Sequence, residues 1–304
     1  MNDSPNENNF SIEKYRESNE LQVKQLIDLY NEESYLFNLL QGNKTNCAYV
    51  AHYNKDVVGI FMAWNSNFHP YCIYFRIFTN PFYSELNIER YLLSEVQKQE
   101  DFNLPLQTSI WETSAHLKAF YDNNFTEIRR TYMPILDVQK IVPSKTILNT
   151  NYHLQTLSSI LSNSSLLEKL THLVKINYEL THLANPIALF PSKTWQEMIL
   201  ADDVILNGSF LLLDKEYEII GYSFLHTSEK DSTLELGWCG THTMNDLSLL
   251  KLLVFEQTMY ANKHGYSFIQ GEFDSTSMYA MEILKSFPFN PCPTWITYQK
   301  ETRK

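Results

Sequence analysis

Two long stretches of the chain carry the same pattern of apolar and polar positions. Residues 48–64, AYVAHYNKDVVGIFMAW, run apolar, break at a polar turn containing Lys, and resume as a second apolar run near Gly59. Residues 209–226, SFLLLDKEYEIIGYSFLH, do the same, with Gly221 in the matching place. Both patterns predict β-hairpins. A strand pattern follows each, CIYFRIF at 72–78 and TLELGWC at 233–239, and then a helical one at 84–99 and at 244–265. Gly265 stands where a helix C-cap belongs. Next come a strand (106–111; 266–273), a short helix (114–122; 277–285) and a final strand region (125–138; 289–299). Upstream of the hairpins, residues 20–40 and 165–183 carry apolar side chains at helical spacing. The chain therefore reads as a repeat, each half β-α-α-β-β-β-α-β-α-β. The expected junction is IVPSKTILNT at 141–150, giving domains 1–140 and 141–304, and SSILSNSS at 158–165 reads as a loop.

Composition supports two folded domains. The chain has 304 residues, 44% hydrophobic and 14% aromatic, and a domain takes roughly 100–200 residues. Apolar runs such as FLLL at 210–213 fall far short of the roughly 18 residues of a membrane span. The polar start MNDSPNENN has no apolar core of a secretory signal. A cytoplasmic protein with no membrane or nucleic-acid partner is expected. Net charge is −11 and only six residues are Arg, so no basic stripe for nucleic acid is available. One anionic small ligand held by local groups remains compatible. Cys47, Cys72, Cys239 and Cys292 are far apart and read as reduced, mostly buried thiols. No metal-ligand spacing, GxSxG or phosphate loop occurs, so no metal is expected.

The element order resembles the GCN5-related N-acetyltransferase (GNAT) superfamily, arranged as a tandem pair similar to the mycothiol-synthase-like enzymes. In the first half, IWETSAHLKAFYDNNFTEIRRTYMPIL (110–136) resembles the family's closing strand and helix, with Tyr121 and Phe125 in place and Asn124 where Gly is usual. In the second half, GTHTMNDLSLLKLL (240–253) and FDSTSMYAMEILKSFPFNPCPTW (273–295) resemble the corresponding segments. The resemblance implies an α/β fold, two domains each with a mixed central sheet flanked by helices. It also implies acetyl transfer from acetyl-CoA, as cosubstrate, to a primary amine of a small molecule or peptide, by a monomer or homodimer. The pantetheine arm would pair with the open edge of the fourth strand. The pyrophosphate would sit on backbone N–H groups opening the next helix.

Carried onto this sequence, the cofactor-binding positions are Ile77, Phe78, Ser84, Asn87, Ile88 and Glu89 in the first half, and Cys239, Thr241 and Asn245 in the second. The catalytic candidates are Tyr121 as general acid and Glu235 or Glu112 as base. His242 is a lesser candidate, read mainly as a surface residue. Tyr74, Phe75, Phe78 and Trp111 read as core before cofactor channel. Several positions depart from the family pattern. Ser84 replaces Arg or Gln, Asn87 and Glu89 replace small residues, and Glu85 and Glu89 put negative charge where a pyrophosphate would lie. The second half lacks a loop Gly between Thr241 and Lys251, and its general-acid position falls near Leu284 or Lys285. The first half is the preferred cofactor site, on Pro81, loop length and Tyr121. The alternative is a degenerate GNAT fold serving as a binding or scaffold protein.

Overall fold

The computed structural model describes residues 10–114, 116–141 and 152–301. The chain forms two compact units, neither of them one continuous stretch. Unit 1 comprises Met1–Ile128, Asn185–Ala188 and Ile296–Lys304, and unit 2 comprises Arg129–Ala184 and Leu189–Trp295. Most of the expected junction, residues 142–150, lies outside the described residues.

In chain order, unit 1 opens with β1 (Phe10–Lys14), α1 (Glu20–Asp28), α2 (Phe37–Gln41), β2 (Cys47–Tyr53) and β3 (Asp56–Asn65). It continues with β4 (Ile73–Thr79), α3 (Ile88–Gln99), β5 (Leu106–Trp111), α4 (Leu117–Asp122) and β6 (Thr126–Tyr132). Next come β7 (Ile135–Asp137), β8 (His153–Thr156), α5 (Leu157–Ile160), α6 (Ser164–Thr181), α7 (Ser192–Ile199), β9 (Phe210–Leu213) and β10 (Ile219–Thr227). β11 (Thr233–Thr241), α8 (Ser248–Lys263), β12 (Phe268–Gln270), β13 (Phe273–Asp274), α9 (Met278–Ser286) and β14 (Thr294–Lys300) complete the chain.

The first hairpin forms as its pattern predicts. Asn54 and Lys55 adopt φ of 49° and 76°, the positive-φ pair that a two-residue turn needs to match strand twist. β3 is apolar throughout because both its faces are buried. Ile60 and Met62 meet Val23, Leu26 and Ile27 of α1. Phe61 and Ala63 meet Ile88, Leu92 and Val96 of α3. Gly59 lets α3 lie close, since a Cβ there would stand 2.5 Å from Ile88 Cγ2. The unit 1 sheet runs β1-β2-β3-β4-β5-β14-β6.

The unit 2 sheet runs β7-β12-β11-β10-β9-β8. Leu250, Leu253 and Val254 of α8 pack on Leu212, Leu225, Leu234 and Leu236, each fully buried aliphatic side chain contributing about 1.5–3 kcal/mol. The final strand regions do not stay with their own sequence halves. Residues 125–138 split into β6 and β7, and β7 pairs with β12 in unit 2. β14 enters the unit 1 sheet between β5 and β6. The expected long helix over 20–40 is two helices, α1 and α2, joined by a 3-10 segment, Asn31–Leu36. Part of the expected loop at 158–165 is the short helix α5. Among the described residues no helix is long and apolar enough to cross a membrane.

Candidate active site

Each unit contains two parallel strands that pair briefly and then part. In unit 1, β4 pairs with β5 only at Ile73↔Leu106 and Tyr74↔Gln107. Beyond that point Arg76 Nη1 donates to Thr108 Oγ1 at 2.9 Å, bridging the two strands. At the end of β4, Thr79 Oγ1 donates to Glu89 Oε1 at 3.2 Å. His116 Nε2 lies 3.2 Å from Thr79 Oγ1 and 3.1 Å from the same carboxylate oxygen. The Glu89 and His116 side chains are only 15% and 11% exposed. The first turn of α3 thus holds a buried carboxylate of its own where an anion would otherwise be received.

The other first-half candidates are distributed along this region. Ile77, Phe78 and Ile88 are buried core. Ser84 lies in the 3-10 turn Pro81–Leu86, and Asn87 takes the left-handed conformation at φ 49° between that turn and α3. Phe75 packs among Phe61, Phe120 and Phe125, while Tyr74 and Trp111 are half-buried. Glu112 follows β5 in a turn and is also half-buried. Tyr121 is 55% exposed on α4, and its hydroxyl is 3.0 Å from that of Tyr298.

Unit 2 parts its strands differently. β11 pairs with β12 at Thr233↔Phe268, Leu234↔Ile269 and Glu235↔Gln270, and the ladder stops there. On the other side of β11, Leu225 opposes Leu236 while Ser223 opposes Cys239. Gly237 and Trp238 therefore face a single residue of β10, a β-bulge that bends β11 just where it leaves β12. Leu234 and Leu236 enter the core under α8, so Glu235 points to the opposite face. Ser228 Oγ donates to Glu235 Oε1 at 2.6 Å.

That face carries further polar and aromatic groups. Glu272 is exposed, yet desolvation by the surrounding protein, with the charges of Asp274 and Glu235, raises its pKa against the opposing effect of Arg129. Asp274 is held by Arg129 Nη1 at 3.2 Å and by Thr131 Oγ1 at 2.5 Å. His182 Nε2 stands 3.9 Å from Asp274 and stacks on Tyr178 at 3.7 Å between ring centres. Tyr178 meets Trp195 and Trp238 at 5.5 and 5.2 Å. Trp195 is fully buried, and its indole N–H has no acceptor among the described residues.

Beyond the bulge, β11 is anchored from behind. Asn177 Nδ2 donates to Thr241 O at 3.3 Å and accepts from Tyr279 at 3.0 Å through Oδ1. Gly240 is required there, because a Cβ would meet Asn177 Nδ2 at 2.2 Å. Cys239 is half-buried, and burial pushes its thiol up to about 12. Thr241 is buried and donates to Thr243 O at 2.7 Å. Asn245 sits on the 3-10 turn Met244–Asp246 ahead of α8, and His242 is exposed. α8 opens with no side-chain cap and no acidic residue in its own first turn, but the 3-10 turn that runs into it carries Asp246, which accepts from Thr243 Oγ1 at 2.6 Å; α3 has Glu89 in its first turn. Among the described residues no group of three His, Cys, Asp or Glu could hold a metal ion. None of the four cysteines forms a disulfide; Cys72 alone of them is buried, and the others are half-buried.

Glu272, Trp195 and Tyr279 were not among the sequence candidates. Glu272 follows β12 in a segment read as continuous strand, and only the pairing of β11 with β12 brings it near Glu235.

Neither a protein-family model nor a curated protein matches the chain. Solved structures do. A GCN5-related N-acetyltransferase from Sphaerobacter thermophilus is 11% identical over 97% of this chain and 96% of that one, with a TM-score of 0.60. A GNAT-family acetyltransferase from Colwellia psychrerythraea is 12% identical over 96% of this chain and all of its own, with a TM-score of 0.52. The fold is that of the GCN5-related N-acetyltransferases. More particularly it is the tandem form. A tandem GNAT protein from the clavulanic acid biosynthesis pathway is 12% identical over 97% of this chain and 99% of that one, with a TM-score of 0.56.

Proposed function

We propose that the protein transfers an acetyl group from acetyl-CoA to a primary amine, and that unit 2 does so. The observation that carries this reading is the parting of β11 from β12 immediately after Glu235, at a bulge, beside the exposed carboxylate of Glu272. Acetyl-CoA would supply the acetyl group as an activated thioester. The edge of β11 beyond the bulge, where β12 no longer pairs, would offer backbone groups such as those of Cys239 to an extended amide-bearing arm, Thr241 O being already engaged by Asn177. The start of α8, which has no side-chain cap, would receive a pyrophosphate on backbone N–H groups beside Asp246.

The acceptor would approach as an ammonium ion, drawn by Glu235 and Glu272. Glu235, half-buried and oriented by Ser228, takes a proton from it. Trp238 and Tyr178, half-buried and backed by the fully buried Trp195, would give an aromatic surface to the apolar part of an amine. Unit 1 we read as a fold without a cofactor site, because Glu89, His116 and Thr79 fill the place of the anion with one another.

A coupled thiol-release assay with acetyl-CoA and a panel of small and peptidyl amines tests the reading. Turnover that Glu235→Gln lowers supports it, and turnover indifferent to Glu235→Gln contradicts it.

A further inference from the structure

Resting on the reading of unit 2 as the acetyltransferase, we propose that Asn177 of α6 is a positioning residue that holds the open edge of β11 in the shape that receives acetyl-CoA. It touches no reacting atom and acts through the backbone of Thr241. Three observations converge on it. The first is the direction of the edge. His242 N donates to Ile220 O of β10 at 3.0 Å, and Thr241 stands opposite Gly221. Hydrogen-bonded and non-bonded pairs alternate along an antiparallel ladder. His242 and Gly240 therefore turn their backbone groups to β10. Those of Cys239 and Thr241 face the side that β12 has left, its ladder having stopped at Glu235. The outward carbonyl of Thr241 is the one that Asn177 Nδ2 holds, at 3.3 Å.

Second, the Asn177 amide is fixed on both sides. A backbone carbonyl only accepts, so the amide NH₂ must face Thr241 O and Oδ1 must face Tyr279, whose hydroxyl donates to it at 3.0 Å. Nδ2 also reaches the Tyr222 hydroxyl at 3.5 Å. One buried side chain thus joins α6, β10, β11 and α9. A buried amide is costly unless its hydrogen bonds are made, and here donor and acceptor are both engaged. Gly240 admits it, since a Cβ there would stand 2.2 Å from Nδ2 and 3.0 Å from Cγ.

Third, the bonds continue toward α8. Thr241 Oγ1 donates to Thr243 O at 2.7 Å, and Thr243 Oγ1 donates to Asp246 Oδ2 at 2.6 Å. The series Tyr279, Asn177, Thr241, Thr243, Asp246 therefore runs from α9 along the end of β11 to the turn before α8. That is the stretch on which the arm and the pyrophosphate of acetyl-CoA would lie. An edge already held has less freedom to lose on binding.

The test uses the full chain. Calorimetry with acetyl-CoA is expected to give Asn177→Ala a Kd raised about 3- to 10-fold, the worth of one hydrogen bond. The thiol-release assay is expected to show KM for acetyl-CoA raised alike, with kcat unchanged. In the free protein, exchange of the His242 amide is expected to quicken. Tyr279→Phe is expected to raise Kd in the same direction, and Asn177→Ala/Tyr279→Phe no further than Asn177→Ala alone.

Asn177→Ala/Gly240→Ala separates positioning from packing. The added methyl takes up space that the amide leaves, so the melting temperature is expected to return toward that of the wild type while Kd stays raised. Three outcomes overturn the positioning role and leave the acetyltransferase reading standing: an Asn177→Ala variant with the affinity of the wild type, one whose kcat falls while Kd is unchanged, or a double variant whose Kd recovers with its melting temperature. Should Asn177→Ala not fold, Tyr279→Phe decides: a raised Kd supports the role and an unchanged one overturns it. A wild type that binds no acetyl-CoA at millimolar concentration overturns both.

Discussion

Glu235 and Tyr121 occupy contrasting surroundings. Glu235 is half-buried beside the parting strands, with Ser228 holding one oxygen. Tyr121 projects from α4 with only Tyr298 as a hydroxyl partner. Glu235→Gln is expected to lower kcat by about 10²–10⁴-fold, the range for one acid–base group, with the KM for acetyl-CoA nearly unchanged. Tyr121→Phe is expected to leave turnover unchanged and to cost at most about 1.5 kcal/mol of stability, the worth of one hydrogen bond. Glu272 gives a pH signature. Its folded pKa is raised above the ordinary 4.5, first by desolvation and then by Asp274 and Glu235. The folded state therefore binds the proton more tightly than the unfolded chain, and stability is lost as pH rises from about the ordinary value through the raised one. Melting curves of Glu272→Gln should thus gain on the wild type as pH is raised from 4 to 7, and a constant difference would contradict the crowding. At this scale Glu235 was legible because it falls in the strand where the resemblance places a general base. Glu272 and Trp195 were not, since their roles depend on partners far along the chain.

The two helices that follow the parting strands separate the units chemically. α3 begins with Glu89 locked between Thr79 and His116. α8 has no acid in its own first turn, and Asp246 in the 3-10 turn before it is bonded by Thr243. Glu89→Gln should therefore weaken unit 1, by about 1.5–3 kcal/mol for a charge-assisted hydrogen bond, and leave acetyl-CoA affinity as it was, which calorimetry and a thermal melt together would check. On the other side of β11, α6 meets the strand through Asn177 and Gly240. Gly240→Ala forces Asn177 from its place and should cost about 1–3 kcal/mol, the usual penalty for overpacking. The hairpins and the helices over 88–99, 164–181 and 248–263 were legible because apolar spacing is a local property. The break between α1 and α2 was not, since the polar run NEES at 31–34 reads equally well as the solvated face of one continuous helix.

Across the whole chain, the repeated element order carried the fold, and pairing between distant segments decided what it could not. β7 and β14 come from regions that look alike in the two halves, yet each joins the sheet of the other half's unit. Period and composition are blind to such an exchange, because a strand's pattern records which face is buried and not which neighbour it has. The same blindness concealed the cluster of Thr79, Glu89 and His116: loop length and Tyr121 favoured the first half, whereas these side chains, from β4, α3 and the segment after β5, meet only in the folded chain. Hydrogen exchange of the full chain with and without millimolar acetyl-CoA tests the central claim most directly. The account predicts slowed exchange over residues 238–250, the open edge of β11 and the start of α8, and unchanged exchange over 75–90. Slowing confined to 75–90, or none in either segment, would contradict it.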